Sequence, residues 1–111
     1  MKVISGYLKG RRLSFPAGKR ELRPTKDMVR EAVFDSLRGW IVGRMTLDLF
    51  AGIGALGIEA ASHGANEVVF VESDSDALGF IRKNIEELGI EHLCTVMKGK
   101  AEGVIAGLGE R

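Results

Sequence analysis

Two carboxylates and three glycines are laid out along residues 48–72 at spacings that suit a single ligand. The run Asp48-Leu49-Phe50-Ala51-Gly52-Ile53-Gly54-Ala55-Leu56-Gly57 contains a G-x-G-x-x-G turn, with Asp48 four residues before Gly52. Glycines at such a turn let the backbone bend tightly and approach a ligand without a Cβ in the way. Alone, the pattern also fits a dinucleotide or an ordinary strand-to-helix turn. Asp48 argues against the dinucleotide, because a carboxylate at the strand end would repel a pyrophosphate. A buried carboxylate needs a cationic or hydrogen-bond-donating partner. S-adenosyl-L-methionine, with a positive sulfonium and a positive ammonium, would be attracted. Glu72 stands twenty positions after Gly52 and can accept both hydroxyls of a ribose. NAD enzymes use the same device, so Glu72 supports a ribose-bearing cofactor without choosing one.

Other candidates carry less. Asp74 and Asp76 read as acids at a helix start. His63 falls at a helix C-terminus, where a charge–dipole role is the usual one, and His92 falls at the start of a strand, facing solvent. Cys94 is the only cysteine among 111 residues, which excludes an intramolecular disulfide and a cysteine-rich zinc site. No metal site is expected.

The elements that must position these residues alternate. Met45–Phe50 is an apolar run read as a first parallel strand. The glycine turn then opens a helix reaching about His63, stopped by Gly64. Glu67–Glu72 is a second strand, continuously apolar from Val68 to Val71, as a strand covered on both faces should be. Ser75 or Asp74 caps a helix whose buried stripe is Leu78, Ile81, Ile85 and Leu88, closed by Gly89. Leu93–Met97 is a short third strand, and residues 100–108 a weak helix containing Gly103 and Gly107. Upstream, residues 2–5 and 11–15 read as a small hairpin, and residues 16–23 as a loop. Arg23-Pro24-Thr25 starts a helix to about Arg38, with Met28, Val29, Ala32, Val33 and Leu37 at helical spacing. Strand, glycine turn, helix, strand, helix, strand is half of a doubly wound α/β sheet.

Composition agrees with a globular domain: 45% of residues are hydrophobic and 28% charged. No apolar run approaches a membrane span and the N-terminus has no apolar leader, so no membrane partner is expected. The single cysteine suits a reducing cytoplasm. A net charge of +1 hides an asymmetry, since residues 1–30 carry nine Lys/Arg against Glu21 and Asp27. That pattern is a basic arm for a polyanion, or a solvated arm, joined to a more acidic body.

At this point the chain resembles a family. Val3-Ile4-Ser5-Gly6, Lys9-Gly10-Arg11-Arg12-Leu13, Arg23-Pro24-Thr25 with Val29-Arg30-Glu31-Ala32-Val33-Phe34, the Leu47–Gly57 turn and Val69-Phe70-Val71-Glu72 are similar to the RsmD-type bacterial 16S rRNA guanine-N2 methyltransferases. The resemblance implies a Rossmann-like class I methyltransferase fold ending after the third parallel strand, with an N-terminal basic hairpin and helix. It implies a basic, RNA-facing segment 1–24 and the N-terminal half of an S-adenosyl-L-methionine-dependent methyltransferase domain over 25–111. The cofactor residues would be Asp48, Phe50, Ala51, Gly52, Gly54, Glu72, Ser73 and Ala101. Of these, Asp48 and the turn would hold the methionine end, Glu72 the ribose, and an amide near Ala101 the adenine. Lys9, Arg11, Arg12, Lys19, Arg20 and Arg23 would dock ribosomal RNA or the small ribosomal subunit, and Arg23 and Arg30 would line the entrance or flank the helix as surface residues.

Two features depart from that family. Its acidic residue after the third strand is replaced in Gly99-Lys100-Ala101-Glu102, where Glu102 could substitute. Its acceptor motif, Asn/Asp-Pro-Pro-Tyr/Phe, is absent, since the only prolines are Pro16 and Pro24. No catalytic residue is therefore expected within the 111 residues. A first strand without a fourth beside it would expose an apolar edge, through which a homodimer is expected. The rival readings are a catalytically inactive RNA- or nucleotide-binding fragment and an NAD-binding half-domain.

Overall fold

Val68, Phe70 and Val71 have no exposed surface. That places β2 (Glu67–Glu72) between two neighbours, as its apolar run requires. The computed structural model describes residues 1–15, 27–37, 39–49 and 51–103. β2 pairs in parallel with β1 (Met45–Asp48), Leu47 beside Val69 and Asp48 beside Phe70. On its other side it pairs in parallel with β3 (Cys94–Lys98), Glu72 beside Lys98. The sheet order is β1-β2-β3. Parallel neighbours need crossovers, and α2 (Ala55–Ser62) and α3 (Ser75–Glu87) supply them. The C-terminal ends of all three strands thus meet on one edge, where ligands bind in open α/β sheets.

α3 buries Leu78, Ile81, Ile85 and, just beyond its end, Leu88, as the periodicity predicts. Its cap is Asp74, whose Oδ2 accepts from the Ala77 N–H at 2.8 Å. Strand bounds differ slightly from the sequence reading. β1 ends at Asp48, and Leu93 belongs to a 3₁₀ turn (Glu91–Leu93) before β3. His92 is exposed in that turn. Residues 101–103 are helical; the remainder of the expected helix, 104–108, lies outside the described residues.

α1 (Asp27–Ser36) corrects an expectation. Of the apolar positions that repeat at helical spacing, Met28, Val29, Ala32 and Val33 are exposed, Met28 to 81%. The buried face is Arg30, Phe34 and half-buried Leu37, equally at helical spacing. Arg30 has no exposed surface because a buried partner waits for it: its Nη1 lies 3.3 Å from Oε1 of Glu59 on α2. Its Nη2 donates to the Lys2 carbonyl at 3.0 Å. Placing Arg30 at an entrance or on the surface is therefore wrong: paired and hydrogen-bonded, the guanidinium belongs to the core.

The N-terminal segment is joined to that core. Val3, Leu8 and Leu13 are buried in it. The expected hairpin is minimal, with one antiparallel bridge between Lys2 and Arg12 and turns between. Gly6, at φ +80°, lies where a Cβ would come within 2.2 Å of the Ser62 carbonyl oxygen, so only glycine lets this turn seat on the end of α2. The Ile4 N–H donates to Glu59, and the Ser62 hydroxyl donates to the Ser5 carbonyl at 2.5 Å.

Candidate functional site

The glycine turn joins β1 to α2, and its three glycines answer three different demands. Gly52 has φ +56° and open space where a side chain would point. Gly54 caps α2 in the left-handed conformation at φ +90°. At Gly57 a Cβ would stand 2.3 Å from Cε1 of Phe70, so this glycine lets helix and strand pack closely. Asp48, half-buried at the end of β1, accepts from the Gly57 N–H at 3.1 Å and ties the strand end to the first turn of α2. Ala51 is buried, and its N–H donates to the Val71 carbonyl at 3.2 Å. Phe50 lies outside the described residues.

Glu72 ends β2 with its carboxylate held by two backbone amides. Oε1 accepts from Gly52 at 2.8 Å and Oε2 from Asp74 at 2.9 Å. Each carboxylate oxygen therefore keeps accepting capacity for a further donor. Beside it opens a cleft of about 300 Å³. Leu49 contributes from just after β1, Glu72 from the end of β2 and Ser73 from just beyond it, and Gly99, Lys100, Ala101 and Glu102 from the segment after β3. The Gly99 N–H donates to the Glu72 carbonyl at 3.1 Å and fixes that loop to β2.

The cleft thus brings together Glu72, Ser73 and Ala101 of the expected set. Asp48, at the end of β1, and Ala51, Gly52 and Gly54, in the adjoining turn that the Gly52 amide links to Glu72, do not line the cleft. Leu49, Gly99 and Lys100 line it without having been expected there. Their signal was position, since Leu49 and Gly99 directly follow strand ends and Lys100 comes one residue later, where such folds bind ligands. Two acids, Glu72 and Glu102, face the cleft with one lysine, a balance better suited to hydroxyls and cations than to a pyrophosphate.

Of the basic set, Lys9, Arg11 and Arg12 are exposed, with Arg11 Nη2 donating to the Glu87 carbonyl at 3.0 Å. Lys19, Arg20 and Arg23 lie outside the described residues. His63 is a bracket as well as a helix terminus. Its Nε2 is 2.6 Å from the Ser5 hydroxyl, and its ring stacks on Phe34 at 5.3 Å between centroids. Among the described residues no group of His, Cys, Asp and Glu could hold a metal ion. No described helix is long and apolar enough to cross a membrane.

Known proteins resemble this arrangement. Ribosomal RNA small subunit methyltransferase D of Buchnera aphidicola is 43% identical over 88 residues, which cover 79% of this chain and 46% of that protein. The solved structure of a hypothetical protein from Thermus thermophilus superposes with a TM-score of 0.80 at 35% identity, over 96% of this chain and 60% of that one. An RNA methyltransferase of Salinibacter ruber, solved in complex with S-adenosyl-L-homocysteine, superposes with a TM-score of 0.62 at 30% identity, over 71% of this chain and 51% of that one. The chain spans between 42% and 60% of the length of the curated relatives it matches. With these neighbours the three-stranded parallel sheet is of the Rossmann-like methyltransferase type. A family model described as Conserved hypothetical protein 95 matches residues 1–110, and the chain belongs to that RsmD-type family.

Proposed function

We propose that this chain carries the S-adenosyl-L-methionine half-site of a methyltransferase acting on small-subunit ribosomal RNA, at an exocyclic amino group of guanine. The observation that carries the reading is Glu72, fixed by two backbone amides at the mouth of a cleft beside an open glycine turn. Its free accepting capacity matches two ribose hydroxyls. Bound there, the cofactor would supply a methyl group on a positive sulfonium. Asp48 and the Gly52–Gly54 turn would take the methionine end, with Phe50 and Ala51 beside them, and Ser73 and Ala101 would flank the nucleoside. The names of the relatives support ribosomal RNA as substrate, and the Salinibacter complex supports the cofactor.

Lys9, Arg11 and Arg12, with Lys19, Arg20 and Arg23, would make the phosphate contacts that position the RNA. A homodimer through the outer edge of β1 belongs to the same proposal, as does a segment 1–24 that faces RNA. The exposed basic residues equally favour a second reading, RNA binding without methyl transfer.

Calorimetric titration of the chain with S-adenosyl-L-methionine and with NAD tests the cofactor. Saturable binding of S-adenosyl-L-methionine is expected, weakened on the order of 10–100-fold in Glu72→Ala by loss of charge-assisted hydrogen bonds. Binding of NAD alone would overturn the reading. RNA affinity without methyl transfer would favour the second one.

A further inference from the structure

α3 turns Ala77, Leu78, Ile81 and Ile85 to the core, and Asn84 stands among them at 1% exposure. Asparagine is a poor helix former, and a buried amide is unfavourable unless its donors and acceptor are paired. What Asn84 holds accounts for its place. Its Oδ1 accepts from the Ser14 N–H at 2.6 Å, and its Nδ2 donates to the Ser14 carbonyl at 3.2 Å. The same Nδ2 donates to the Ile53 carbonyl at 3.1 Å. One side chain on α3 therefore joins the N-terminal segment, 70 residues earlier, to the glycine turn, 31 residues earlier.

Ile53 lies between Gly52 and Gly54, both at positive φ, so the chain bends sharply on either side of it. The turn is closed by the Gly54 N–H, which donates to the Ala51 carbonyl at 2.7 Å. The Ile53 carbonyl and the Gly54 N–H belong to one planar peptide unit, so whatever orients the first orients the second. Glu72 fixes this turn through the Gly52 amide, and Asn84 fixes it through the Ile53 carbonyl.

We infer that Asn84 is a positioning residue: it sets the Ile53–Gly54 peptide of the cofactor turn and ties that turn to the N-terminal segment, so ligand affinity depends on a side chain outside the cleft. The inference rests on reading the turn as a cofactor site. Asn84→Asp keeps an oxygen for the Ser14 N–H and replaces the Nδ2 that donates to the Ile53 and Ser14 carbonyls with a second acceptor.

In the ligand-free chain, hydrogen exchange of the Gly54 amide should quicken about 10-fold in this variant relative to the β2 amides, the effect of losing one restraining hydrogen bond. Affinity for S-adenosyl-L-homocysteine should fall about 10-fold by calorimetry. Leu88→Ala, which removes core packing one helical turn beyond Asn84 without taking away any of the Asn84 side-chain hydrogen bonds, is the control, and should lower the unfolding midpoint without altering either quantity. Unchanged Gly54 exchange in Asn84→Asp would overturn the proposal, as would an equal loss of affinity in Leu88→Ala. If the unaltered chain binds no S-adenosyl-L-homocysteine, the cofactor reading fails and the exchange measurement alone decides the role of Asn84. Should Asn84→Asp not fold, Asn84→Ala, which also lacks the donor to Ile53, takes both measurements with the same expectations.

Discussion

Cys94 opens β3 half-buried, and burial pushes its thiol up to about 11 from 9.0, with the charge of Glu91 adding to the effect. The thiolate is the reactive form. Near pH 8.5 the folded chain should therefore be alkylated on the order of 50–100-fold more slowly than the unfolded chain, as the thiolate fractions dictate. Iodoacetamide labelling followed by mass spectrometry reads this directly. The sign of the linkage follows from the same shift. The folded thiol keeps its proton to higher pH than the unfolded one, so the contribution to stability is complete below about pH 9 and is lost as pH rises toward 11. Urea unfolding should lose less stability over that interval in Cys94→Ala than in the unaltered chain.

Between elements, the junction of α1, α2 and the N-terminal segment depends on one ion pair. Arg30 and Glu59 are both fully buried, and between them they also bind the Lys2 carbonyl and the Ile4 N–H. Removing one member of such a pair strands the other charge away from water, which costs about 3–5 kcal/mol. Arg30→Met should lower stability to urea by that amount. The double variant Arg30→Met with Glu59→Gln should recover part of the loss, because Gln still accepts from Ile4 while carrying no charge. Losses from Arg30→Met and from Glu59→Gln alone that simply add in the double variant would show that the pair is not what joins these elements. α3, by contrast, rests on an apolar stripe and an Asp74 cap, both visible in its own residues.

For the whole molecule, the sheet leaves β1 without a partner strand on its outer side among the described residues. Met45 on that strand is 63% exposed, and Trp40 and Val42 just before it are exposed as well. Arg44 covers one face of the Trp40 ring at 3.8 Å. The β3 edge carries Lys98, a charge of the kind that discourages pairing. Two β1 strands pairing antiparallel about a two-fold would satisfy the free edge. Light scattering at high micromolar concentration should then give twice the 12.0 kDa chain mass, with Met45→Lys returning the monomer. A monomer at that concentration in the unaltered chain would remove the dimer from the proposal.

What the sequence alone determined is what local pattern encodes. The run Val68–Val71 requires a strand covered on both faces, the spacing of Leu78, Ile81 and Ile85 a helix packed on one side, and Gly52, Gly54 and Gly57 a tight turn between Asp48 and Glu72. These depend on hydropathy period and backbone freedom, which each short segment carries by itself. Tertiary structure decided the rest. Hydropathy sends Arg30 to solvent and Met28 to the core; the fold reverses both because Glu59, 29 residues on, offers a buried counter-charge. It made Asn84 a bracket between two distant segments and brought Gly99–Glu102 beside Glu72 to close the cleft. A partner remote in sequence has no periodicity to announce it, so polar residues reveal their place only when the chain has folded around them.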